Sequence, residues 1–98
     1  MPFSIIFTPE AARQLEALEK DAASAKRFKA VRKALGYLEV DPRHQSLNTH
    51  KYHSLSGKEH GEVFEAYAES KTPAAYRIFF RYGAEKGVIQ VISITPHP

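Results

Sequence analysis

Tyr76-Arg77-Ile78-Phe79-Phe80-Arg81-Tyr82, followed by the loop Gly83 to Gly87 and by Val88-Ile89-Gln90-Val91-Ile92-Ser93-Ile94, is the stretch that decides the fold. Two runs of β-branched and aromatic residues flank a short loop that contains glycine, which is the pattern of a β-hairpin. Alternation with period two puts Tyr76, Ile78, Phe80 and Tyr82 on one side of the first strand and Arg77, Phe79 and Arg81 on the other. The first set faces a core. The second places arginine inside a sheet, a costly position unless an anion is near, and the chain then runs through Thr95 and Pro96 to His97, a histidine at the sheet rim. An arginine fork matches phosphate and a histidine moves protons near neutral pH, so the pair suggests phosphodiester chemistry.

The neighbouring segments add to this face. If the loop pairs Tyr82 with Val88, Arg77 lies opposite Ser93, and the same parity carries His97 to the rim of the arginine face. If the loop Ser70 to Ala74 pairs Glu69 with Ala75, Tyr67 comes to lie beside Arg77. The expected cluster is Tyr67, Arg77, Ser93 and His97, and a slip of one residue would turn every side chain of a strand to the opposite face. The plainer alternative makes Arg77 an ordinary cross-strand partner of Glu65 or Glu69, Arg81 a solvated cation and His97 a frayed terminus.

Towards the N-terminus, Phe3 to Phe7 is a short strand ended by Thr8-Pro9-Glu10, which combines a capping hydroxyl, proline at the first helical position and an acid in the first turn. Ala12, Leu15 and Leu18 carry a helix to about Asp21, and Asp21 or Ser24 caps the next. In that second helix, residues 24 to 40, Phe28, Val31, Leu35 and Leu38 form a stripe about 80° wide, with Lys26, Lys29 and Lys33 opposite. Asp41 before Pro42 stops it. Residues 43 to 61 are polar and hold His44, His50, His53 and His60, with a short strand expected around His50 to Leu55, and Glu62 to Glu69 alternates as a further strand. The predicted fold is α+β in the order β-α-α-β-β-β-β, a helical hairpin packed on one face of a mostly antiparallel sheet, with residues 1–98 as a single domain.

At 98 residues the chain has room for one modest core. It has no cysteine, which removes disulfides, thiolate zinc sites and cysteine nucleophiles, and points to a reducing, cytoplasmic setting. No apolar stretch reaches membrane-spanning length, so a membrane role is not expected. Lys and Arg number 14 against 11 Asp and Glu, a mild basic excess suited to a phosphate-bearing or acidic partner. The histidines lack an HExxH or an i, i+4 helical pair, and no metal site is expected.

FSIIFTPEA, the hairpin ending in Asp41-Pro42-Arg43, Leu55-Ser56-Gly57 before a strand, the Tyr76-Arg77 start of an aromatic strand and a closing apolar strand with a rim histidine together resemble the RelE/ParE toxin superfamily, nearest its YoeB/HigB-like branch. The resemblance spans nearly the whole chain. It implies the toxin of a bacterial type II toxin-antitoxin system, a ribosome-dependent mRNA endoribonuclease, with a ParE-like protein that binds DNA gyrase or an inactive RelE-like binding domain as the alternatives. It also implies a cognate antitoxin, mRNA on the ribosome as substrate, a toxin-antitoxin hetero-oligomer and no cofactor.

Under that resemblance Arg77 falls where RelE-like nucleases hold a catalytic arginine, and His97 is similar to the near-terminal histidine of the YoeB-like branch. Where RelE itself has strand lysines, this chain offers Glu65 and Tyr67, which favours an acid-base arrangement. Metal-free cleavage needs a base for the 2′-hydroxyl, cationic donors for the phosphorane and an acid for the 5′-oxygen. His97 is then acid or base, Glu65 or His53 the complementary group, Arg77 the phosphate holder, and Tyr67 a donor or a stacking ring. Lys51 and Arg81, with the basic helix face of Lys26, Lys29 and Lys33, would attract the RNA backbone.

Overall fold

The computed structural model describes residues 2–53 and 61–97. Its elements are β1 (Ser4–Phe7), α1 (Pro9–Lys20), a 3-10 turn (Ala22–Ser24), α2 (Ala25–Val40), a second 3-10 turn (Gln45–Leu47), β2 (His50–Lys51), β3 (Phe64–Tyr67), β4 (Tyr76–Tyr82) and β5 (Val88–Pro96). The sheet runs β1-β5-β4-β3-β2, with β1 parallel to β5 and every other pair antiparallel. This is the expected α+β order. Leu55-Ser56-Gly57, His60 and the far end of the expected His50 to Leu55 strand lie outside the described residues.

The helices start and stop where local chemistry requires. Thr8 Oγ1 accepts from the Ala11 amide at 3.1 Å and donates to the Ile92 carbonyl at 2.8 Å, so one hydroxyl caps α1 and ties it to β5. Asp21 caps the 3-10 turn through the Ala23 amide and also accepts from the Ser24 hydroxyl. On α1 and α2, Leu18, Val31 and Leu38 are buried against Ile78, Phe80, Ile89, Val91 and Ile94 of the sheet. Leu15, Phe28 and Leu35 of the same stripe are only half-buried, because they line an open groove between the two helices and β1.

The register of the closing hairpin differs from the expected one. Tyr82 pairs with Ile89 in place of Val88, and Arg77 pairs with Thr95 in place of Ser93, which sits opposite Phe79. The loop closes one residue further along, since Gly83 donates its amide to the Val88 carbonyl. A bulge then leaves Ile92 without a partner between the pairs Phe79–Ser93 and Phe80–Val91. Consequently Val91 enters the helix-facing core, whereas Ile92 joins a second small cluster on the opposite face with Phe79 and Val63, against which Tyr52 packs. The two one-residue offsets add to two, so Thr95 and His97 still fall on the arginine face.

Candidate functional site

Strands β2, β3 and β4 and the end of β5 each contribute a residue to one side of the sheet. His50 pairs with Glu65, and Tyr67 pairs with Arg77, so the expected neighbour of Arg77 is present. His97 follows β5, held by its amide on the Ala75 carbonyl at 2.8 Å. These five residues form one connected network on the face away from the helices.

Glu65 is its hub. The residue is 1% exposed, and a buried carboxylate persists only when partners surround it. Here Oε1 lies 2.8 Å from His50 Nε2, and Oε2 lies 2.7 Å from His97 Nδ1 and 3.7 Å from Arg77 Nε. Both histidine side chains remain about half-exposed, so the carboxylate is covered by groups that themselves reach solvent. The imidazole nitrogens meet the carboxylate oxygens at hydrogen-bonding distance, which leaves no space for an ion between them. Among the described residues no group of three His, Cys, Asp or Glu is arranged to hold a metal.

Arg77 is 8% exposed, and its guanidinium stacks on the Tyr67 ring with Cζ 3.7 Å from the centroid. Nη1 donates to the Glu69 carbonyl at 2.6 Å, and Nε is buried without a hydrogen-bond partner. Among the described residues no hydrogen bond engages Nη2, which leaves it to meet an incoming anion. Glu69 is fixed in turn: its carboxylate accepts from Arg27 Nε at 2.8 Å and from the Tyr76 amide at 3.0 Å, and Arg27 lies over the Tyr76 ring. The loop that presents the Glu69 carbonyl has left-handed backbone at Lys71 and Ala74, unusual for residues other than glycine. The pairing with Glu65 that the plainer reading allowed is present at 3.7 Å, whereas Glu69 meets Arg77 through its backbone carbonyl and gives its carboxylate to Arg27.

The remaining sequence candidates lie outside this network, and those on α2 are on the opposite side of the sheet. Ser93 is buried beside Phe79 and is not part of the network. His53 is exposed in the turn after β2. Arg81 Nε donates to Gln90 Oε1 at 2.7 Å on the open side of the sheet, whereas Lys51, opposite Phe64 on the helix-facing side, pairs with Glu62 at 2.9 Å. Lys26, Lys29 and Lys33 are exposed on α2. Sequence reasoning did not single out His50 as a site residue. Its signal was the short strand around it, but only the pairing of His50 with Glu65 reveals which carboxylate it meets.

No family model and no curated protein matches the sequence. The solved structures do match in shape. A YoeB/ParE toxin from Agrobacterium tumefaciens superposes with a TM-score of 0.72 at 9% identity, covering 97% of this chain and 99% of that one. A chain of the archaeal RelE-RelB complex from Pyrococcus horikoshii superposes at 0.66 with 16% identity, covering 98% and 96%. A chain of the toxin-antitoxin complex RelBE2 from Mycobacterium tuberculosis superposes at 0.62 with 21% identity, covering 99% and 100%. The chain therefore has the RelE/ParE toxin fold. At these identities the likeness is one of fold, and the site rests on this chain's own residues.

Proposed function

We propose that the protein is the toxin of a type II toxin-antitoxin pair and acts as a metal-free endoribonuclease on mRNA at the ribosome. The observation that carries the reading is the joint placement of a stacked, buried arginine with a spare Nη2 and a histidine backed by a buried carboxylate, on one open face. In the reaction the 2′-oxygen attacks the neighbouring phosphorus as its proton leaves, and the bond from phosphorus to the 5′-oxygen breaks as that oxygen gains a proton. Arg77 holds the non-bridging oxygens while negative charge builds on them. His97 serves one of the two apical oxygens through Nε2, the ring nitrogen not bonded to Glu65. His53 and Tyr67 are the candidates for the other, and the one whose substitution stops cleavage fills it.

The partner implied is a cognate antitoxin, consistent with two of the structural neighbours having been solved as toxin-antitoxin complexes. The groove of about 590 Å³ between α1, α2 and β1, lined by Ile5, Phe7, Leu15, Phe28 and Leu35 with Glu19, Arg32 and Glu39 also on its lining, suits the apolar face of an amphipathic segment that folds as it binds. No helix among the described residues is long and apolar enough to cross a membrane.

The test is induction in a bacterial host followed by primer extension on mRNA. Cleavage within translated message is expected for the wild type and is expected to vanish in Arg77→Ala and in His97→Ala. Growth arrest without any cleavage would overturn the nuclease reading in favour of a gyrase-binding toxin. Failure of the neighbouring gene's product to bind or to relieve arrest would overturn the toxin-antitoxin assignment.

A further inference from the structure

Two imidazoles approach Glu65, and their surroundings differ in a way that assigns them different work. His50 Nδ1 is 3.0 Å from the carbonyl oxygen of Asn48, to which it donates when both ring nitrogens are protonated, while a neutral ring keeps its proton on Nε2, towards the charged carboxylate. Its other nitrogen, Nε2, faces Glu65 Oε1 at 2.8 Å. Both nitrogens of His50 are committed to the protein, and it has none to offer a substrate. His97 makes one such contact, from Nδ1 to Glu65 Oε2 at 2.7 Å. Its Nε2 is not tied to the carboxylate.

A carboxylate buried to this degree could turn about its side-chain torsion to give both oxygens to Arg77 or to share them unevenly with His97. His50 prevents this by occupying Oε1. It is itself anchored by Asn48, which adopts left-handed backbone at the end of the Gln45–Leu47 turn, and it packs in a T-shaped contact, centroids 5.7 Å apart, with the Tyr67 ring that supports Arg77.

We propose that His50 is a positioning residue: it fixes the Glu65 carboxylate so that Oε2 holds His97 in the Nδ1–H tautomer with Nε2 presented to the open face. The arrangement parallels metal sites, in which a carboxylate partner sets the tautomer of a ligating histidine, except that here the oriented nitrogen faces substrate.

The first measurement does not depend on any activity. Ring-nitrogen NMR of the ¹⁵N-histidine-labelled wild type, above the pH at which histidines protonate, is expected to show His97 in the Nδ1–H form, which is the minor tautomer of free histidine. In His50→Ala the His97 signals are expected to move to the average of the two tautomers. His50→Gln, whose amide reaches towards Oε1, is expected to recover most of the wild-type pattern, and His50→Asn, one carbon shorter, is not. β2 is a short, exposed edge strand, and retention of the folded state is checked by amide spectra of each variant. A mixed tautomer in the wild type, or an unchanged His97 in both His50→Ala and His50→Asn, would overturn the proposal.

The second measurement rests on the nuclease reading. Cleavage of ribosome-bound message by His50→Ala is expected to fall about 10- to 100-fold in kcat with KM little changed, and to be largely rescued in His50→Gln. A rise in KM alone would place His50 on the RNA and overturn the positioning role. Absence of cleavage in the wild type would sink the nuclease reading and leave the NMR result standing on its own.

Discussion

Replacing Glu65 with glutamine keeps the volume and length of the side chain and removes only its charge. In the native structure the carboxylate meets His50 and His97 at 2.8 and 2.7 Å and lies 3.7 Å from the buried Arg77 Nε. A glutamine has one oxygen and one amino group. Whichever way it turns, one imidazole faces a donor, and Arg77 loses its nearest negative charge. A hydrogen bond to a charged group contributes about 1.5–3 kcal/mol, and the half-exposure of both histidines lets water replace part of that, so the lower end applies. Loss of the counter-charge to Arg77 adds about 1 kcal/mol, for a total of about 2–3 kcal/mol. For a domain of this size each kcal/mol lowers Tm by about 4–8 °C, so a drop of about 8–24 °C is expected by circular dichroism. Urea unfolding should show a lower midpoint at unchanged slope. A glutamine variant as stable as the wild type, or more stable, would refute the argument. It would mean that desolvating the carboxylate cancels everything its partners return.

Four other outcomes follow from the same structure. Leu38→Ala, at a fully buried helix position, should cost about 2–5 kcal/mol in denaturant unfolding, and the half-buried Leu35→Ala should cost less. Thr8→Ala removes both the α1 cap and the bond to Ile92, and should cost about 0.5–2 kcal/mol, measured as a lower unfolding midpoint. Arg77→Lys should retain the charge yet fail to restore growth inhibition, because lysine has no planar fork to hold Glu69 and a phosphate together, and plating after induction reads this directly. Arg27→Ala frees Glu69 from α2 and should lower cleavage without touching the open face.

Much of the fold was written in local chemistry. Thr8-Pro9-Glu10 and Asp41-Pro42 mark helix boundaries by capping and by backbone restriction, and these act within a few residues, so sequence alone locates them. The placement of Tyr67 beside Arg77 was equally legible, because the β3–β4 connection follows the simplest pairing. The partner of Arg77 on β5 was not. Alternation along Val88 to Ile94 is broken by two adjacent apolar pairs, Val88-Ile89 and Val91-Ile92, and nothing local tells which residue is the extra one. Only the second cluster around Phe79 explains why Ile92 turns away from the helices. His50 was missed for a related reason: a two-residue strand carries almost no periodic signal, and its role is set by a cross-strand contact.

The unpaired Ile92 gives β5 an unequal tolerance to changes in length. Removing one residue between Gln90 and Ser93 would turn the bulge into a regular ladder, and Thr95 and His97 would stay on the arginine face, at the cost of a contact in the small cluster and of the carbonyl that receives Thr8. Adding one residue there has no such outlet, and it would rotate the end of the strand and carry His97 to the helix side. Homologous chains with this site can therefore be one residue shorter through this segment but not one residue longer.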